Sequence, residues 1–237
     1  TKYSLFFNTI PKTTIVATPK TKYARPFIYY MKNGIKFTNL KLPIKIMEDK
    51  ALETLKSILA LRDIKYDSNE FLGSPIDETR MYNLGGILII FSEKSRINES
   101  NLNSYIKFAE DNSYTQGTII ISLIPCSEKI QNIVRDFINN SENPLLQIFD
   151  IKRLQFDITT HRKYVPHRII KQDEVTLLQT KFNIVNHKEQ LGWTDSQDAS
   201  AKWIGARPGN IIEVIRFSQS SADARSWRYC VANTLDT

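Results

Sequence analysis

The pattern of apolar and polar positions changes character along the chain, and each change predicts a different kind of element. Residues 1–46 mix short β-like runs, Ser4–Ile10 and Arg25–Met31, with breakers at Pro11, Pro19, Pro26 and Asn33-Gly34. That mixture predicts extended segments or a hairpin rather than helix. From Met47 the period becomes helical. Leu52, Leu55, Ile58, Leu59 and Arg62 fall at helical spacing, with Glu48 and Asp49 in the expected first turn, where the helix dipole favours acids. Strand and helix then alternate. Ile87–Phe91 reads as a buried strand, Glu99–Asp111 as a helix with Leu102, Ile106 and Ala109 on one face, and Thr118–Ile124 as a second strand. Ser127–Asn140 reads as a helix with Ile130, Ile133, Val134 and Phe137 inward, and Leu145–Phe149 as a third strand. Strands that are apolar throughout are covered on both faces, so this part predicts an α/β domain: a small parallel or mixed sheet flanked by helices.

The texture changes again after residue 156. One short helix is expected at Gln172–Phe182, with Val175, Leu178 and Phe182 on its apolar side. An irregular polar stretch follows, then strands at Asn210–Phe217 and Arg225–Val231, which together predict a small α+β module. The expected organisation is an arm (1–46), an α/β domain (47–155) and an α+β module (156–237).

Charge sharpens that division. Net charge is +7, yet residues 1–46 hold nine Lys or Arg and no Asp or Glu. The remaining 191 residues carry 23 basic against 25 acidic side chains, so the basic excess lies wholly in the arm. Its Lys12, Lys20, Lys22 and Arg25 are candidate contacts to nucleic acid or to an acidic partner surface. The plainer alternative is a solvated extension pinned by its aromatic and β-branched residues. An acid-free, Thr-rich start also has the texture of an organellar transit peptide, but a single Arg argues for a retained arm.

Other chemistry is sparse. Two distant cysteines, Cys126 and Cys230, predict free thiols rather than a disulfide framework, and His161, His167 and His187 have no metal-ligand spacing. No cofactor, metal, membrane span or small-molecule ligand is expected. Gly85-Gly86 enters a strand rather than leaving one, so it reads as a turn and not as a phosphate cradle. A metal-dependent nuclease would need two carboxylates and a lysine converging at a sheet end. Asp150-Ile151-Lys152 and Asp77 are the candidates, but Asp63-Ile64-Lys65 shows how common the triplet is. The most specific local signal is Gly205-Ala206-Arg207-Pro208-Gly209-Asn210, where Pro208 and Gly209 suit the two central positions of a type II turn. Arg216 and Arg228 then bracket a Ser-rich loop as candidate fork donors to a partner chain.

The order of motifs after residue 156 resembles one family, the subunit common to the nuclear RNA polymerases together with its archaeal counterpart. Phe156-Asp157-Ile158-Thr159-Thr160-His161 followed by Val165-Pro166-His167 is similar to the opening of the family's assembly module. An acidic, Leu-containing helix follows in both, here with Asp173-Glu174 and Leu177-Leu178. Asp198, Ala201, Lys202, Trp203 and Gly205 fit the family's Asp-Pro-x-Ala-(Arg or Lys)-(Tyr or other large residue)-x-Gly stretch in register. Gly209, Ile211, Ile212, Val214, Arg216 and Ser218 fit its Gly-x-Val-Val-x-Ile-x-Arg-x-Ser strand, and Trp227-Arg228 its Tyr-Arg. Departures stand at Gly192 and Ala199, where the family has proline, at Ser220-Ser221-Ala222, where it has Thr-Ala-Gly, and at Trp227, where it has Tyr.

The resemblance implies a jaw-like α/β domain ahead of an assembly module, without catalytic residues of its own. It also implies docking on the largest polymerase subunit and a place on the lower jaw near downstream DNA. The interface candidates it supplies are Pro166, His167, Asp198, Lys202, Trp203, Gly205, Arg207, Gly209, Arg216, Ser218 and Arg228. Archaeal versions lack the N-terminal domain, so a two-domain chain implies a eukaryote or a large DNA virus infecting one. The departures, the arm and the Ile-, Asn- and Lys-rich composition favour the virus. The expected location is intracellular: the nucleus for a cellular chain, the virus factory or virion for a viral one. The alternatives carried forward are a free-standing nucleic-acid-binding module using the arm, and the nuclease.

Overall fold

A computed structural model describes residues 41–65, 69–94, 96–218 and 222–233. The expectations for residues 1–40, including Lys12, Lys20, Lys22 and Arg25, lie outside them. Helix α1 spans Lys41–Leu61 and is followed by a five-stranded sheet. Its strands are β1 (Asn69–Gly73), β2 (Thr79–Leu84), β3 (Ile87–Ser92), β4 (Thr118–Ser122) and β5 (Leu146–Asp150), in the spatial order β1-β2-β3-β4-β5. Pairing is antiparallel from β1 to β3 and parallel from β3 to β5. The parallel crossovers are helices α2 (Glu99–Asp111) and α3 (Glu128–Asn139).

Every residue of β3 and β4 is buried, because the two faces of the sheet are both covered. Ile89, Phe91, Ile119, Ile121 and Phe149 point to the α1 side, where Leu55, Ile58 and Leu59 meet them. Leu88, Ile90, Ile120 and Ile148 point to the other side, against Leu102 and Tyr105 of α2 and Val134 of α3. Gly85 and Gly86 form the two-residue turn between β2 and β3 with φ of 59° and 83°, a left-handed pair that suits the twist of a hairpin.

Two features differ from the pattern read in sequence. Helix α1 begins at Lys41, so Glu48 stands well inside it rather than in its first turn. Glu48 is buried at 3% exposure and pairs with Arg80 of β2, which also reaches Glu93 at 3.0 Å. The hairpin β1–β2 was not expected at all. Its inner strand is only half apolar, with Met81 and Leu84 buried and Tyr82 and Asn83 partly so, and β1 is an edge strand with Phe71 exposed.

After β5, Asp150 accepts a hydrogen bond from Lys152 N at 3.0 Å and starts a 3₁₀ turn, Ile151–Gln155. Ile151 and Leu154 of that turn pack under α1, and Gln155 Nε2 donates to Met47 O at 2.7 Å. A second, four-stranded sheet follows, built from β6 (His167–Ile169), β7 (Gly192–Asp195), β8 (Ile211–Ser218) and β9 (Ala222–Val231) in the order β6-β8-β9-β7. Helix α4 (Gln172–Phe182), the short α5 (His187–Gln190) and α6 (Ala199–Ile204) complete it. Val175 and Leu178 of α4 cover one face with Ile211; Ala201 and Ile204 of α6 cover the other with Ile212, Val214 and Cys230.

The two sheets meet at the end of α6. Arg62, just past α1, donates from Nε to Trp203 O at 3.1 Å and from Nη2 to Lys202 O and Gln147 Oε1, both at 2.6 Å. Gln147 in β5 donates back to Lys202 O at 3.0 Å, and Trp203 is buried in the α1-side core. Arg135 of α3 reaches Asp195 of β7 at 3.2 Å, and Arg207 Nη1 donates to Asn143 O at 2.7 Å. Burial lowers the Arg62 pKa to about 10, which leaves the guanidinium charged at neutral pH.

This packing can be tested at two residues. Arg62→Ala strands Trp203 O and Gln147 Oε1 and removes one donor from Lys202 O, and should cost about 2–4 kcal/mol in a denaturant titration. A loss below about 0.5 kcal/mol would mean that water replaces the guanidinium. Glu48 supplies the second test. Burial pushes its carboxyl from the ordinary 4.5 to about 7, against the pull of Arg80 and with repulsion from Glu93 and Asp49. A carboxyl with a raised folded pKa binds more protons when folded, so its stabilising contribution is lost as pH rises through about 7. Stability measured from pH 5 to 8 should therefore fall less in Glu48→Gln than in the parent; identical slopes would refute the assignment.

Candidate functional site

The residues singled out in sequence divide into two groups in space. The first faces inward, to the other half of the same chain. Asp198 caps α6, its Oδ2 accepting from Ser200 N at 3.0 Å. Lys202 donates from Nζ to Ile148 O at 2.5 Å and lies over the Phe149 ring at 5.0 Å. Burial, with Arg153 adding repulsion, lowers its pKa to about 8. Gly205 ends α6 in the left-handed region at φ 73°, and a Cβ there would lie 3.0 Å from Arg62 Nε. That site needs glycine for backbone and for space alike. Lys202, Trp203, Gly205 and Arg207 thus make contacts within the chain.

The turn that follows has the form its residues predicted. Asn210 N donates to Arg207 O at 3.1 Å across Pro208-Gly209, and Gly209 has φ 94°. Gly209 N then donates to Cys230 O at 2.9 Å, which pins the turn to β9. Asn210 Oδ1 accepts from Arg207 N at 2.8 Å.

The second group faces out and shares a groove of about 520 Å³. One wall is the segment between the sheets. Asp157 Oδ1 accepts from Thr159 N at 2.9 Å and from its Oγ1 at 2.6 Å, which shapes the turn Ile158–Thr160. Tyr164 N donates to His161 O at 2.8 Å, reversing the chain once more before Pro166. Pro166 has no N–H, but its carbonyl accepts from Ile215 N at 3.0 Å, and His167 Nδ1 donates to Val165 O at 2.6 Å. The other wall is sheet. Val214 and Arg216 project from β8, and Arg228 from β9, where it stands opposite Ile212. Phe156 is 46% exposed at the rim, edge-on to His161 with ring centroids 6.4 Å apart.

The groove is cationic without compensation. Lys163, Arg216 and Arg228 line it beside His161 and His167, and among the described residues no Asp or Glu does. Arg216 is exposed and Arg228 half-buried, and neither has a hydrogen bond or ion pair among the described residues. Ser218 ends β8, and its side chain is outside the described set.

The nuclease candidates do not converge. Asp77 lies in the β1–β2 connection and Asp150 at the end of β5, with β3 and β4 between their strands. Asp150 is occupied in capping its own turn.

Sequence reasoning missed Arg62 as a junction residue, and Phe156, His161 and Tyr164 as groove residues. It also missed the clamp on buried Glu213, held by Arg168 at 2.6 Å and Arg225 at 3.3 Å. The Arg62–Trp203 and Arg168–Glu213 contacts, between residues 141 and 45 positions apart, leave no local spacing to read.

Comparison with known proteins falls on this same module. Residues 156–230 match the family described as RNA polymerase Rpb5, C-terminal domain. The chain is 32% identical over 77 residues to DNA-directed RNA polymerase subunit Rpo5 of Methanococcoides burtonii, covering 32% of this chain and 96% of that one. It is 34% identical over 77 residues to the Rpo5 of Sulfolobus acidocaldarius, covering 32% of this chain and 89% of the relative. For the Rpo5 of Staphylothermus marinus the figures are 33% over 85 residues, 36% and 91%. A module that matches such relatives across nearly their whole length places this chain in the Rpb5/Rpo5 family of RNA polymerase subunits.

Proposed function

We propose that the chain is a non-catalytic subunit of a DNA-directed multi-subunit RNA polymerase, and that its C-terminal module docks on the largest subunit. One observation carries the docking. Arg228 is the one half-buried arginine among the described residues that has no hydrogen-bonded or ionic partner. A guanidinium taken partly out of water normally finds acceptors, so an unfilled fork of donors beside a groove suits a second chain. Arg216 projects from the same sheet face two residues beyond Val214 and widens the offer. The groove lies on the part of the chain whose relatives are named as polymerase subunits.

In this reading the 47–155 domain lies along the lower jaw with downstream DNA nearby, held to the docked module by Arg62 and Trp203. The chain then works wherever its polymerase does, in the nucleus for a cellular enzyme, or in the virus factory or virion for a viral one.

Purification of the tagged chain from its native source should bring down a much larger catalytic subunit; recovery without polymerase subunits would sink the proposal. Arg228→Ala and Arg216→Ala should each reduce incorporation about tenfold or more. The Tm of the isolated chain should stay within about 2 °C, since neither residue has a described partner to lose. Equal losses in melting and in assembly would make these arginines structural instead.

A further inference from the structure

The groove restricts the chemistry of whatever fills it. Ile212, Val214 and Arg216 alternate onto one face of β8, and Arg228 stands opposite Ile212, so both arginines overlook the same apolar floor. A partner that neutralises both brings negative charge, and it also covers the exposed ring of Phe156.

The edge of the sheet adds a second restriction. Ile211 O accepts from Ile170 N and Ile215 N donates to Pro166 O, so the odd-numbered residues of β8 turn their backbone groups toward β6. Continuing that register, Phe217 faces the position of Tyr164, which is instead drawn into its own turn with His161. The backbone N–H and C=O of Phe217 therefore meet an open edge, and its side chain is 89% exposed. Open edges of this kind are completed by an extended peptide, whereas a nucleic acid offers no ladder to pair with.

We infer that the groove receives an extended acidic segment of the neighbouring polymerase subunit, its carboxylates on Arg216 and Arg228 and its backbone against the open edge of β8 at Phe217. This rests on the polymerase-subunit reading. The cations give orientation and register, since bidentate carboxylate–guanidinium pairs are geometrically strict. The apolar floor and the strand edge set the path of the segment between them.

The test is photo-crosslinking inside the assembled polymerase, with Phe217→p-benzoylphenylalanine in the full chain. The expected product links Phe217 to a peptide of the neighbouring subunit that carries Asp or Glu within a few residues of the linked position. The doubly reversed variant Arg216→Glu/Arg228→Glu, carrying the same crosslinker, should lose that product about tenfold or more. Reversing the linked segment's own acids to Lys should restore it. A crosslink to DNA, or to a basic or purely apolar segment, would overturn the inference and leave the subunit assignment standing. So would full crosslinking in the doubly reversed variant. A parent chain that enters no polymerase would instead remove the assignment, and the inference with it.

Discussion

The joining of the two sheets is centred on one guanidinium. Arg62 lies at the end of the first helix and is matched to the end of α6, where it donates to Trp203 O and shares Lys202 O with Gln147 Nε2 and Gly205 N. Such carbonyls must be met somewhere, and a helix C-terminus prefers a cation to meet them. Gln147 joins the same cluster from β5, so the contact ties α1, the central sheet and the second module at one point. A Cβ at Gly205 would crowd Arg62 Nε at 3.0 Å, and the contact fixes Trp203 in the core under α1. The C-terminal module is therefore held in a set orientation to the α/β domain, through contacts that are polar and directional rather than only apolar.

Where periodicity reports burial on both faces, the sequence was a reliable guide. β3, β4 and β5 are mostly apolar on both faces because α1 lies on one side and α2 and α3 on the other. The amphipathic crossover helices were legible for the complementary reason. The hairpin β1–β2 escaped because an edge strand with a mixed face has no clean period, and Phe71 is exposed where a strand pattern would bury it. The start of α1 escaped because Pro43 and the basic residues before Met47 read as arm, although proline is tolerated in the first turn of a helix.

The site was legible only in part. Asp198, Lys202, Trp203 and Gly205 were picked out by their fit to a motif, and a motif says that a position is constrained without saying by what. In the structure the constraint on Lys202, Trp203 and Gly205 includes the chain's own N-terminal half, through Arg62, Ile148 and Phe149. Gly209 is constrained by its own backbone, as the Pro-Gly turn implied. For Arg216 and Arg228 no internal constraint is found among the described residues.

That contrast gives the outward face its meaning. Arg80, Arg135, Arg168 and Arg225 all hold carboxylates, and Arg62 and Arg207 hold carbonyls. The fold thus directs most of its partly buried guanidinium groups to internal acceptors, as the cost of desolvating a charge requires. Arg228 departs from that rule although it lies next to Trp227, which stands opposite the clamped Glu213 where the two strands are tightly registered. In the docking proposed above, its acceptors come from a second chain. In that reading the unfilled fork at Arg228 is the place where a neighbouring subunit would supply the acceptors that the chain itself does not.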